Sequence, residues 1–120
     1  MKKILFTGGH VTPAIATIEE IQSRYRDWQI LFVGRKYALE GSTVTSEEYR
    51  LITTMGIRFL PIVAGRWKFR TLWKVPMGIF QALGLLWRER PNLVVSFGGY
   101  VGFPVSLAAW ALGLPVIIHE

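Results

Sequence analysis

The chain has 120 residues, enough for one domain with a hydrophobic core, and its hydrophobic share of 51% is high for a soluble domain. It contains no cysteine and only two histidines, which excludes disulfides and thiolate metal sites and argues against a histidine-rich metal site. The formal charge of +6 predicts an anionic partner, such as a membrane surface, a phosphorylated ligand or a nucleic acid.

The first apolar run, at residues 3–6, ends at Thr7-Gly8-Gly9 and is too short for the core of a signal peptide. This favours the first strand of a cytoplasmic domain. No stretch of about 18 uninterrupted apolar residues follows, so the sequence predicts no membrane-spanning helix.

Short apolar runs alternate with segments of helical periodicity along the chain. The runs that predict strands are residues 3–6, 29–33, 57–61, 93–97 and 115–118. The helices are predicted to begin after Thr12, which would cap the first one, at Thr45, after Pro76 and at Pro104. This alternation predicts an α/β domain over residues 1–120, with a doubly wound, Rossmann-like parallel sheet and right-handed crossovers.

Two glycine turns, at residues 7–13 and 97–104, each follow a predicted strand and lead into a helix. Ligands of doubly wound sheets bind beyond the carboxyl ends of the strands, where glycine allows close approach and helix N-termini offer free N–H groups. The turns therefore predict a cleft for a phosphate- or sugar-bearing ligand. The predicted backbone donors are Gly8, Gly9, Gly98 and Gly99. The alternative is that these glycines only permit tight turns.

Two polar side chains beside these turns are candidate ligand contacts. Thr7 could add a hydroxyl contact, and Tyr100 could donate a hydrogen bond at the mouth of the cleft. A half-buried tyrosine that only packs is an equally good interpretation of Tyr100.

Basic and aromatic residues interleave in the segment before the third helix. They are Arg66, Trp67, Lys68, Phe69, Arg70, Trp73 and Lys74. An apolar band with helical spacing continues to Trp87. Tryptophan and basic side chains together are typical of the membrane interface, which predicts docking on an anionic membrane surface. The alternative is that the band packs on the sheet and the basic residues form a solvated face.

Several motifs, in order, resemble the N-terminal domain of the MurG family of GT-B glycosyltransferases. They are Gly8-Gly9-His10-Val11 with Pro13-Ala14, residues 31–34 with Leu39-Glu40, Arg90-Pro91, residues 98–101 with Pro104, residues 107–109, and residues 113–120. This resemblance extends over essentially the whole chain.

The resemblance implies an inverting hexosyltransferase of peptidoglycan synthesis that moves N-acetylglucosamine from UDP-N-acetylglucosamine to undecaprenyl-pyrophosphoryl-muramyl-pentapeptide, converting lipid I to lipid II. This chain would be the half that binds the lipid-linked acceptor, peripheral on the cytoplasmic face of the bacterial plasma membrane. The donor would be held mainly by a C-terminal domain or subunit that this chain lacks. No cofactor or metal is implied, because the sequence has no Asp-x-Asp motif.

The resemblance also assigns roles to individual residues. His10 would be the general base that removes the proton from the attacking sugar hydroxyl, since histidine has an ordinary pKa of about 6.5. The alternative is a histidine that only orders the glycine turn. Glu120 matches a glutamate that faces the cleft, whereas His119 is expected to be structural.

The chain departs from the family pattern in two turns. The first glycine turn is shorter than usual, and Gly102-Phe103 replaces the usual Ser-Gly before Pro104. The family also continues beyond the His-Glu pair at which this chain stops.

Three other functions compete with the transferase hypothesis. A non-catalytic membrane-docking subunit of a split glycosyltransferase would use the same basic and aromatic segment. A Rossmann-type nucleotide site is disfavoured because the third fingerprint glycine is absent and Gly34-Arg35, not an acidic residue, ends the second strand. Nucleic-acid binding is not expected, since only charge supports it.

Overall fold

The computed structural model describes residues 2–8, 11–34, 47–62 and 74–119. Within these ranges strands and helices alternate. The strands are β1 (Lys3–Thr7), β2 (Gln29–Gly34), β3 (Arg58–Pro61), β4 (Leu93–Ser96) and β5 (Val116–Ile118). The helices are α1 (Val11–Arg24), α2 (Glu47–Thr54), α3 (Lys74–Glu89) and α4 (Gly99–Ala111).

The strands form one parallel sheet in the order β3-β2-β1-β4-β5, which confirms the predicted doubly wound α/β fold. The chain builds the sheet in one direction from β1 to β3 and then returns to the other side of β1 with β4. This reversal puts a crevice between the carboxyl ends of β1 and β4. In register, Thr7 lies beside Ser96 there, so both glycine turns leave the sheet at the crevice.

The core has two layers, one on each face of the sheet. Alternate β1 residues face opposite layers: Phe6 packs in the layer formed with α1 and α2, and Leu5 packs in the layer formed with α3 and α4. Both side chains are fully buried. The near-continuous apolar strands of the sequence follow from this double coverage.

Three helices begin earlier than the sequence predicts, and one of them, α3, starts at Lys74, ahead of Pro76. α1 starts at Val11, so Thr12 lies in its first turn and does not cap it. α4 starts at Gly99, with Pro104 inside the helix. Gly98, at φ +78°, turns the chain directly from β4 into α4, and this conformation is available to glycine without strain. The prediction was wrong because it treated Pro104 as a first helical residue, the position that proline favours.

A buried carboxylate joins the end of α3 to the first residues of β1 and β3. Glu89 forms a bidentate pair with Arg58 at 3.0 and 3.1 Å, and Lys3 Nζ lies 3.5 Å from Glu89 Oε1. Burial alone would raise the pKa of Glu89, but the charges and hydrogen bonds of Arg58 and then Lys3 outweigh burial and hold that pKa below its ordinary value. The paired charge thus stabilises the end of α3.

Candidate functional site

The two glycine turns touch each other through their backbones. The Phe97 N–H donates to the Thr7 carbonyl at 2.8 Å, which continues the β1–β4 ladder into the turns. Gly8 has φ +138°, and a Cβ atom there would lie 2.7 to 2.9 Å from the backbone N, C and Cα atoms of Phe97. Only glycine therefore fits at position 8.

The second turn packs equally closely against its own strand. A Cβ atom on Gly102 would lie 2.5 Å from Ser96 Oγ and 3.8 Å from Gly8 Cα. The α4 backbone at Gly102 thus lies close to β4, and a serine side chain there would clash with Ser96 unless the Ser96 hydroxyl moved. Phe103, in contrast, is 44% exposed, so its side chain departs from the family pattern without entering this contact.

The start of α4 supplies unpaired backbone donors next to this contact. The Gly98 N–H donates to Ser96 Oγ at 3.2 Å and is therefore already engaged. The N–H groups of the first α4 residues have no partner within the helix and carry its partial positive charge. α1 starts just after the first turn on the opposite face of the sheet, so two helix N-termini flank the crevice.

A buried hydroxyl group lies at the base of the crevice. Thr7 is fully buried, and its Oγ1 makes no hydrogen bond within the described part of the chain. Buried hydroxyl groups nearly always find a partner. Thr7 thus lies at the carboxyl end of β1, and its role as a ligand contact stays a prediction.

His119, expected from the sequence to be structural, lies at the same edge of the sheet. The His119 N–H donates to the Ser96 carbonyl at 2.8 Å, and the His119 ring lies 5.6 Å from the Phe97 ring. The imidazole is exposed at the carboxyl end of the sheet. His119 directly follows the last apolar run, as the glycine turns follow theirs, and this sequence position predicts its place at the carboxyl end of a strand.

The structure places the other predicted site residues only in part. Gly98, Gly99 and Tyr100 lie at the start of α4, and Lys74 is the first residue of α3. The remaining calls lie outside the described residues: Gly9, His10, Arg66, Trp67, Lys68, Phe69, Arg70, Trp73 and Glu120. Among the residues the structure describes, no three acidic or histidine side chains lie close enough to hold a metal ion.

Helices α3 and α4 expose an apolar surface on the side away from the sheet. We define this outer face by the following side chains: Met77, Phe80, Trp87, Phe103, Leu107 and Trp110. Phe80, Trp87 and Trp110 are 74%, 63% and 75% exposed. The Arg90 guanidinium lies 4.7 Å from the Trp87 ring centre, so a cation borders the face.

The apolar band predicted along α3 therefore consists of two groups of side chains, one facing the core and one facing outwards. Leu86 is buried in the core, and Ile79 and Leu83 are half-buried, whereas Phe80 and Trp87 project outwards. None of the helices in the described ranges is both long and apolar enough to cross a bilayer.

Comparison with known proteins identifies the family. The model of the glycosyltransferase family 28 N-terminal domain matches residues 7–120. The chain belongs to this family. A crystal structure of Acinetobacter baumannii MurG superposes with a TM-score of 0.78 at 27% identity, over 100% of this chain and 35% of the other. The resemblance to the MurG family is thereby confirmed.

Two bacterial relatives carry the same name, UDP-N-acetylglucosamine–N-acetylmuramyl-(pentapeptide) pyrophosphoryl-undecaprenol N-acetylglucosamine transferase. The Myxococcus xanthus protein is 33% identical over 129 residues, covering 100% of this chain and 32% of the relative. The protein from Thermoanaerobacter sp. is 39% identical over 117 residues, covering 95% and 31%. This family 28 chain thus spans about a third of the length of these relatives.

Structures of UDP-N-acetylglucosamine 2-epimerases share the fold alone. The Neisseria meningitidis epimerase superposes with a TM-score of 0.62 at 18% identity, over 97% of this chain and 31% of the other.

Proposed function

We propose that this family 28 domain is the acceptor-binding half of an inverting N-acetylglucosaminyltransferase. The donor would be UDP-N-acetylglucosamine, and the acceptor undecaprenyl-pyrophosphoryl-muramyl-pentapeptide. The observation that carries the proposal is the direct contact of the two glycine turns at the strand-order switch, where Gly8 lies against Phe97. The family membership and the names of the relatives support the same reaction.

The crevice suits the diphosphate group of such an acceptor. Two helix N-termini flank it, and each offers backbone N–H groups that would bind phosphate oxygens. The absence of a side chain at Gly8 lets the two glycine turns approach each other at this edge. The exposed His119 ring supplies a further polar group at the same edge, where the Thr7 hydroxyl is fully buried.

His10 follows Gly8 by two positions and is the proposed general base. It would take the proton from the acceptor sugar hydroxyl while that oxygen attacks the anomeric carbon and the bond to UDP breaks. A direct displacement of this kind inverts the anomeric centre. No metal or cofactor takes part in the proposed step.

The donor would bind to a part of the enzyme outside residues 1–120. This chain spans about a third of its relatives, and the proposed arrangement places the nucleotide on a C-terminal domain or a separate subunit. Residues 1–120 then form a single acceptor domain.

The test joins this chain to the remaining residues of the Thermoanaerobacter relative and measures transfer to the lipid-linked acceptor. We expect His10→Ala to lower kcat by about 10²–10⁴-fold, the usual contribution of a general base, while acceptor binding and the melting temperature are retained. A Thr12→Ala variant, two residues on in the first turn of α1, is the control and should stay active. Full activity of His10→Ala would contradict the general-base role.

The outer face favours a second role, peripheral docking on the cytoplasmic face of the plasma membrane. Aromatic side chains such as Trp87 and Trp110 suit the headgroup region. Full burial of a large apolar side chain contributes about 1.5–3 kcal/mol. Each basic residue at an anionic surface adds about 1 kcal/mol, so the basic segment from Arg66 to Lys74 would strengthen such docking.

Sedimentation with anionic vesicles tests the docking role. Replacing Phe80, Trp87 and Trp110 by serine should release the chain from vesicles, whereas Leu51→Ser, on α2 at the opposite face of the sheet, should not. Equal binding of both variants would contradict docking through the outer face. Vesicle binding with a fully active His10→Ala enzyme would instead support the non-catalytic docking subunit.

A further inference from the structure

We propose that Ser96 is a positioning residue for the second glycine turn, fixing the Phe97–Gly98 peptide where the chain leaves β4 and thereby aiming the α4 N–H groups at the crevice. Ser96 is 1% exposed at the carboxyl end of β4. Its Oγ accepts the Gly98 N–H at 3.2 Å, across the single residue Phe97. This is a local side-chain-to-backbone bond of the kind that fixes turns.

The bond matters because no other side-chain hydrogen bond to Gly98 is present among the residues that the structure describes. Gly98 is the N-cap of α4 at φ +78°, and no side-chain capping bond is made at this helix start. A Cβ atom on Gly98 would meet no atom within 4 Å, so packing does not confine this residue. The Gly98 N–H belongs to the Phe97–Gly98 peptide, and the Ser96 hydroxyl therefore fixes the orientation of the peptide from which the chain turns into α4.

Ser96 also sets how deeply α4 seats on the sheet. Its Oγ occupies the space 2.5 Å from the position of a Gly102 Cβ. One hydroxyl group thus contacts the helix at its cap and fills the gap beneath its first turn. The direction of the first α4 N–H groups depends on both contacts.

This inference rests on the proposed function in one respect, namely that the α4 N–H groups bind the acceptor diphosphate. Inorganic pyrophosphate is the probe for that group. The measurement is a titration of the ¹⁵N-labelled chain, followed through the Gly98 and Gly99 amide resonances, together with hydrogen exchange of the Gly98 amide.

We compare Ser96→Ala with Ser106→Ala as the matched control. Ser106 is also an α4-side hydroxyl, and its buried Oγ makes no hydrogen bond within the described residues. We expect Ser96→Ala to raise the pyrophosphate Kd about five- to tenfold and to speed Gly98 amide exchange by a similar factor, as for loss of one hydrogen bond. Ser106→Ala should change neither value, and the melting temperatures should show that both variants are folded.

Each result is decisive. Unchanged Gly98 exchange in Ser96→Ala, or an unchanged Kd where the wild-type chain binds pyrophosphate, would overturn the inference. If the wild-type chain does not bind pyrophosphate, the diphosphate site of the proposed function is wrong. In that case faster Gly98 exchange in Ser96→Ala still supports the positioning of the turn, and unchanged exchange still overturns it. As a rescue, Ser96→Gly combined with Gly102→Ser moves the hydroxyl across the same gap and should restore part of the affinity.

Discussion

Replacing Gly8 by alanine should destabilise the domain far more than other glycine substitutions. Two costs add at this position. The φ of +138° is a strained conformation for alanine, at about 1–3 kcal/mol. The new methyl group would also lie 2.7 Å from Phe97 N, a backbone atom fixed by its bond to the Thr7 carbonyl, and such overpacking costs about 1–3 kcal/mol. We expect a total loss of about 2–6 kcal/mol, a large share of the usual domain stability of about 5–15 kcal/mol.

Two other glycines separate these costs. Gly113 has φ +73° in open space, so Gly113→Ala carries only the conformational strain of about 1–2 kcal/mol. Gly84 lies in α3 with open space around it, and Gly84→Ala should stabilise the helix by about 0.5–1 kcal/mol. Urea denaturation of the three variants measures the series. A Gly8→Ala loss within about 1 kcal/mol of the Gly113→Ala loss would refute the close contact of the two turns.

Three further substitutions test other contacts. Glu89→Gln should cost about 1–2 kcal/mol at neutral pH, since it weakens the bidentate bond with Arg58. Because the folded pKa of Glu89 lies below its unfolded value, this difference should be full above the ordinary carboxyl pKa and vanish as pH falls through the folded pKa, which urea titrations at several pH values would show. Gly102→Ala should lower the melting temperature, and Ser96→Gly in the same chain should recover part of the loss, since the Oγ at 2.5 Å is then gone. Arg90→Gly should stabilise the chain by up to about 1 kcal/mol in urea denaturation, because Arg90 has φ +46° at the end of α3. A loss of stability would contradict this and would mean that the contact of Arg90 with Trp87 outweighs the backbone strain.

The sequence predicts the sheet and the place of the crevice well, for a physical reason. Strands buried on both faces are almost continuously apolar, so the run over residues 93–97, apolar except for Ser96, is visible without any structure. A glycine turn directly after such a run can only lie at the carboxyl end of a strand. The positions of Gly8 and Gly98 at the crevice follow from these two patterns.

Other features depend on contacts that no local pattern records. Ser96 is the last residue of β4, and nothing in the sequence distinguishes it from other strand residues. Its bond to Gly98 depends on the path of the turn, which only the structure shows. Along α3, the inward and outward stripes are both apolar, so periodicity alone does not distinguish buried Leu86 from exposed Trp87. The start of α4 was misplaced because a glycine with positive φ, not Pro104, opens that helix.

The central claim is that this domain binds the acceptor and not the nucleotide. The most direct measurement compares binding of the 120-residue chain to UDP-N-acetylglucosamine with its binding to vesicles carrying a polyprenyl-pyrophosphoryl muramyl acceptor. Binding to vesicles of the same lipids without the acceptor measures docking through the outer face, and this value is subtracted. We predict acceptor-dependent binding without nucleotide binding. Tight nucleotide binding without acceptor binding would contradict the account.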